Sequence, residues 1–195
     1  SKQSFIYYDN KGKKRTLKID RYADLMYNHC SVTAYSSDFY TIKNGTIKLI
    51  DNDNDGSYDV VIKKEYNSFK PLSKSDFDYT VTDRTGKAYD MSELIKDKKY
   101  HGIRDIDGNP MTYDDIKVSG NISILTKKDS NVVTEIIVFD DIKYEGEYIS
   151  YYPMQEEYII GEKTFKLSEV YSRLNNNRIL YELGANVLVY LDPLG

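Results

Sequence analysis

Tryptophan is absent from this chain of 195 residues, cysteine occurs once and proline four times. With Cys30 alone, no internal disulfide can form. Long apolar runs are missing too. The longest, Ile136 to Phe139 and Val187 to Leu191, fall far short of the roughly 20 residues a membrane helix needs, so no segment is expected to insert into a bilayer. Lysines alternate with acids along the chain, the formal charge is −4, and no basic block stands out. That argues against a surface built to track nucleic-acid phosphates, and the shortness of the acidic runs argues against a disordered acidic tail.

Catalytic signatures are equally scarce. G-x-S-x-G, the phosphate-binding P-loop and G-x-G-x-x-G do not occur, which removes the usual hydrolase, nucleotide and dinucleotide signals. The two histidines, His29 and His101, lie far apart and outside any H-E-x-x-H pattern. His29 neighbours Cys30, but adjacent residues on a strand point to opposite faces; a distant Cys30–His101 dyad stays open. With 31 acidic residues, picking two as a glycosidase pair carries no information. No enzyme is expected.

What the chain does have is tyrosine, 20 copies of it, with many Ile, Val and Thr residues. These types suit pleated, half-buried strands. The expected fold is mainly β, in small barrel or sandwich units with one or two short helices. A hairpin is predicted from FIYYD through Asn10, Lys11 and Gly12 to RTLKID, and a short helical turn from Asp20 to Asn28 with Asp20 as N-cap. TIKLI and VVIKKEY read as strands flanking DNDNDGSYD. Asn67 to Asp76 reads as a linker, so two units are expected, residues 1–68 and 69–195. The second opens with a hairpin whose tip is Thr85-Gly86, then a turn at Asp107 to Pro110 and a helical turn capped at Thr112. From Asn121 closely spaced strands follow, broken by one helical stretch, Ser168 to Asn175.

The sharpest signal is the acidic loop. Asp51, Asp53, Asp55, Gly56, Ser57 and Asp59 form D-x-D-x-D-G-x-x-D. Calcium takes six to eight oxygens, largely carboxylate and carbonyl. A chain wrapping one ion offers an oxygen at every second residue, while Gly56 permits the reversal, Ser57 supplies its carbonyl and Asp59 closes the ring. The loop is not an EF-hand, whose twelfth position is a bidentate Glu; here it is Ile62, and strands rather than helices flank it. Asp and Asn also favour turns for backbone reasons alone, but four carboxylates in nine residues repel one another without a cation. Magnesium suits the loop less, since it demands stricter octahedral geometry. Asp105, Asp107 and Asn109 hint at a second such loop, which Pro110 interrupts.

The nine-residue form resembles calcium loops in the β-hairpins of integrin-type propeller repeats. The stretch NGTIKLIDNDNDGSYDVVIKKEY, with the later YDDIKVSGNISIL, IIVFDDIKYEGEYIS, IIGEKTFKLS and LGANVLVYLDPLG, resembles a region of large Gram-positive cell-surface proteins that often carry S-layer homology domains. It covers Tyr27 to Gly195 and departs at Asn121, where the pattern often has Asp. The resemblance implies an exported, wall-associated architecture, extracellular calcium for the loop, and no stated activity. Exported Gram-positive proteins commonly avoid cysteine, and the chain reads as cut from something longer. The leading expectation is a non-catalytic structural or interaction module of a secreted or cell-surface protein, stabilised by Ca2+, with the cell-wall polymer or neighbouring domains of the same protein as partners. The alternatives are a carbohydrate- or wall-binding module using Tyr148, Tyr151 and Tyr152, and an accessory domain of a secreted hydrolase.

Overall fold

The computed structural model describes residues 2–8, 11–33, 37–96, 102–176 and 181–193; His101 and Asn10 lie outside them. The chain is mainly β, with two short helices, and divides into two compact units: Ser1–Glu65 with Lys127–Asp129, and Tyr66–Thr126 with Ser130–Gly195.

The first unit carries β1 (Lys2–Tyr8), β2 (Lys14–Tyr27), β3 (Cys30–Val32), β4 (Gly45–Ile50) and β5 (Tyr58–Glu65). One sheet orders them β1-β2-β5-β4, with β3 also pairing β2. The predicted helical turn at Asp20 to Asn28 is strand instead. Asp20 does accept the Tyr22 amide at 2.9 Å, as an N-cap would, but this bond opens a bulge. Ile19 pairs with Tyr58 and Asp24 with Val60, so residues 20–23 bow out before pairing resumes. Alternation then decides the element, because Leu25 and Tyr27 face the same core as Ile19 and Val61. His29 sits in the β2–β3 turn with Asn28, both in the left-handed region (φ 69° and 49°), where the turn demands positive φ.

At the start of β4, Gly45 lies opposite Glu65, and a Cβ there would run into the Lys64 carbonyl oxygen. Backbone cannot retreat from that contact as a flexible side chain would. Gly45→Ala is therefore expected to cost roughly 1–3 kcal/mol, the usual range for overpacking, read from the shift of the urea midpoint. A change under about 0.5 kcal/mol, typical of a neutral surface site, would mean the strand approach is looser than described.

The second unit carries β6 (Asn67–Phe69), β7 (Ser73–Ser75), β8 (Thr80–Thr82), β9 (Ala88–Asp90), α1 (Ser92–Lys96), β10 (Gly102–Asp105), β11 (Pro110–Met111), β12 (Asn121–Thr126), β13 (Val133–Phe139), β14 (Ile142–Tyr152), β15 (Glu157–Ile160), β16 (Lys163–Lys166), α2 (Glu169–Leu174) and β17 (Asn186–Leu191). Its sheets run β11-β10-β13-β12-β6, β7-β8-β9 and β16-β15-β14-β17. Residues 67–76, read from sequence as a linker, supply β6 and β7. Ser68 and Phe69 are buried because β6 closes the sheet on β12, with the Ser68 and Ser123 hydroxyls bonded at 2.6 Å. Polar composition there reflects one buried hydroxyl pair and a strand edge, rather than a solvated connector.

Phe69, Val81, Tyr89, Met91, Leu94, Ile122, Ile124 and Ile136 form the larger core. Beside it Asp83, fully buried at the tip of β8, holds the β8–β9 hairpin. One carboxylate oxygen accepts the Thr85 amide (2.7 Å), the Thr85 hydroxyl (2.6 Å) and the Lys87 amide (3.2 Å). The other accepts the Tyr89 hydroxyl (3.0 Å) and the Arg173 guanidinium of α2 (3.1 Å). Burial alone opposes ionisation, but these donors outweigh it and hold the carboxyl below the ordinary Asp range.

Candidate metal-binding loop

Strands β4 and β5 pair antiparallel from Gly45–Glu65 to Ile50–Val60, so the acidic residues form the connection at one end of a hairpin. Side chain to backbone bonds wind the loop. Asp53 accepts the Asp55 amide (3.1 Å) and Asp55 accepts the Ser57 amide (2.8 Å), two successive Asx turns of the kind short acids favour. Longer bonds close the ring: Asp51 accepts the Gly56 amide (3.0 Å) and Asp59 the Asn52 amide (2.8 Å). Asn54 (φ 59°) and Gly56 (φ 81°) take the left-handed conformations that the reversal requires.

This winding brings Asp51, Asp53 and Asp59 together, each offering a carboxylate oxygen within 4.8 Å of the others. Asp55 stands outside that triad, with one oxygen committed to Ser57. Ser57 is 1% exposed. Each pair in the triad repels by about 1 kcal/mol even at the dielectric of bulk water, and by more where screening is weaker. Two buried oxygens of the loop, Asp51 Oδ1 and Ser57 Oγ, have no hydrogen-bond partner among the described residues, a condition that costs a buried acceptor roughly 1–3 kcal/mol. Clustered carboxylates with one buried oxygen unsatisfied are the donor set a hard cation takes, and nothing in it suits a soft metal. Among the described residues this is the one such group of three potential ligands.

The second acidic turn differs. Asp105 accepts the Asp107 and Asn109 amides on one oxygen and the Asn109 side-chain amide on the other. Asn109 chiefly holds its carboxyl below the ordinary range. Its hydrogen-bonding capacity goes into shaping the β10–β11 turn.

The three tyrosines singled out for sugar stacking do not make one open row. Tyr148 is in the core with Tyr158, Ile160 and Val187. Tyr151 stacks on Tyr158 with centroids 4.4 Å apart, and only Tyr152 is exposed. Tyr151 and Tyr152 are neighbours on β14 and so point to opposite faces. The register shift between Tyr148 and Ser150 turns Tyr148 and Tyr151 onto the same buried side, against Tyr158. Burial, with Tyr151 adding to it, pushes the Tyr158 phenol up to about 12.

Other buried charges are internally satisfied. Lys63 donates to the Thr41 carbonyl (2.7 Å) and pairs with Glu65 (3.3 Å), which also accepts the Tyr27 hydroxyl (3.1 Å). Burial and the Glu65 charge drive the Tyr27 phenol well above its ordinary value. Glu135, 1% exposed, is gripped by Arg104 from the neighbouring strand β10. The sequence reading missed both; a Lys or Glu among alternating apolar residues was the available signal. Cys30 is half-buried, and its distant partner candidate His101 lies outside the described residues. Comparison with protein-family models, curated proteins and solved structures found no match to this chain.

Proposed function

We propose that this chain is a non-catalytic structural or interaction module of a secreted or cell-wall-associated bacterial surface protein, stiffened by Ca2+ at the Asp51 to Asp59 loop. The supporting observation is the convergence of Asp51, Asp53 and Asp59 with Asp51 Oδ1 buried and unsatisfied. Asp51, Asp53 and Asp59 would hold the ion. What the ion supplies is charge neutralisation: it turns a repulsive cluster into a cross-link between the end of β4 and the start of β5. The same loop leads into Tyr58, which pairs with Ile19 where β2 bows out, so fixing it also fixes the bulged side of the sheet. Extracellular modules commonly use weak calcium sites, because a millimolar supply keeps them filled.

Thermal unfolding in EDTA and in millimolar calcium tests the reading. Calcium is expected to raise the midpoint for the first unit and slow amide exchange at Asn52 and Gly56. An unchanged midpoint and unchanged exchange would remove the ion from the function.

A further inference from the structure

The interleaved charge seen in the whole sequence conceals a local exception. Lys11, Lys13, Lys14, Arg15 and Lys18 stand within eight residues that include no acid, in a chain whose net charge is −4. The fold sets this run against the apolar end of β1. Tyr8 lies directly across from Lys14, Tyr7 from Arg15 and Ile6 from Thr16. Among the described residues, the stretch of β2 before Ile19 pairs with β1 alone, since β5 begins its pairing at Ile19. The core of the unit ends at Phe5. Beyond it Ile6 is 59% exposed, Tyr7 44% and Tyr8 69%, with Lys14, Arg15 and Thr16 exposed beside them.

Strand alternation puts Ile6 and Tyr8 on one face and Tyr7 on the other. Both faces of the tip thus carry the same composition, an aromatic ring beside a cation. A polymer lying along a groove would cover one face only. A medium that surrounds the tip suits both, and a ring that is apolar with a polar end, flanked by a cation, matches the lipid headgroup layer. Clustered Lys and Arg add attraction to anionic headgroups.

We propose that the tip of the β1–β2 hairpin, Ile6 to Tyr8 with Lys11 to Arg15, docks peripherally on an anionic lipid surface. The rings enter the headgroup region and the cations meet lipid phosphates. No described helix is long and apolar enough to cross a bilayer, and the proposed contact is with the surface alone. The proposal is independent of calcium at the acidic loop, so its test is run in EDTA.

Cosedimentation of the whole chain with phosphatidylcholine vesicles, with and without phosphatidylglycerol, reads the interaction. The chain is expected to pellet with the anionic vesicles, to remain in solution with phosphatidylcholine alone, and to be released by high salt. Lys14→Glu with Arg15→Glu is expected to weaken partition by about 30-fold or more, the effect of losing two surface cations. Ile6→Ser with Tyr8→Ser, which keeps the charge, is expected to weaken it as well. Both pairs are exposed, and circular dichroism checks that they fold. Equal partition of the wild type and the charge variant overturns the proposal. So does retention of a single-stranded RNA oligonucleotide, or of an anionic wall polymer, by a chain that ignores the anionic vesicles.

Discussion

Asp83→Ala is expected to destabilise the second unit by about 1–3 kcal/mol, the range for leaving a buried donor without its acceptor. The substitution leaves the Tyr89 hydroxyl, the Thr85 hydroxyl, two backbone amides and the Arg173 guanidinium without their shared acceptor. Arg173 is partly solvated, its side chain 36% exposed, so the ion pair itself is screened and contributes the smaller share. The largest part of the loss comes from the buried Tyr89 hydroxyl, since Thr85 is half-buried and Lys87 exposed. Asp83→Asn keeps one oxygen for the hairpin and presents an amide to Tyr89 and Arg173, so its cost should fall between Ala and wild type. A pH dependence follows from the lowered carboxyl. Because the folded pKa lies below the unfolded value, the contribution is complete above the ordinary Asp pKa of about 3.9. It is lost as pH falls through the folded value. Urea unfolding of wild type should therefore lose stability in acid more steeply than Asp83→Asn. Parallel acid profiles would show that the network does not depend on the charge.

Asp51→Asn is expected to abolish the calcium response of the first unit while costing almost nothing without calcium. Asn keeps a side-chain oxygen for the Gly56 amide and removes one of three mutually repelling charges, so the ion-free variant should match or slightly exceed ion-free wild type. For a site with a dissociation constant of about 10⁻⁴–10⁻³ M, calcium at about 10 mM adds roughly 1.4–2.7 kcal/mol to wild type by mass action. The stability order therefore reverses with calcium. Asp55→Asn is the control: Asp55 lies outside the triad, and its bond to the Ser57 amide survives the change, so most of the response should remain. An equal loss at both positions would mean that the loop responds to its total charge rather than to a site.

Most of the strands were legible because the residues alternate. TIKLI, VVIKKEY, EYIIG and NVLVYLD each became strand, and α2 sits where Ser168 predicts, its hydroxyl accepting the Tyr171 amide. Less visible was anything set by distant pairing. Residues 67–69 look like linker until β12 arrives to bury Ser68. Asp20 has the local chemistry of a cap, but the pairing of β2 with β5 on either side makes it a bulge. The short helix α1 was overlooked, since five residues are too few to show a helical period. At the site, spacing was enough to find the loop but not its division of labour. That Asp55 caps a backbone amide while Asp51, Asp53 and Asp59 converge depends on the left-handed turns at Asn54 and Gly56. The tyrosine row failed for a reason spacing does show, since adjacent Tyr151 and Tyr152 point to opposite faces of a strand; what spacing could not show is the bulge that buries Tyr151 beside Tyr148.

The most direct test of the central claim is an amide-resolved NMR titration of the chelator-treated chain with calcium. The amides of Asn52 and Gly56, which donate to Asp59 and Asp51, should shift together and saturate in the millimolar range or below, and in Asp51→Asn they should not move. If those amides stay still in the wild type while calcium reaches tens of millimolar, well above the dissociation constants of extracellular sites, the loop is an acidic turn and not a metal site.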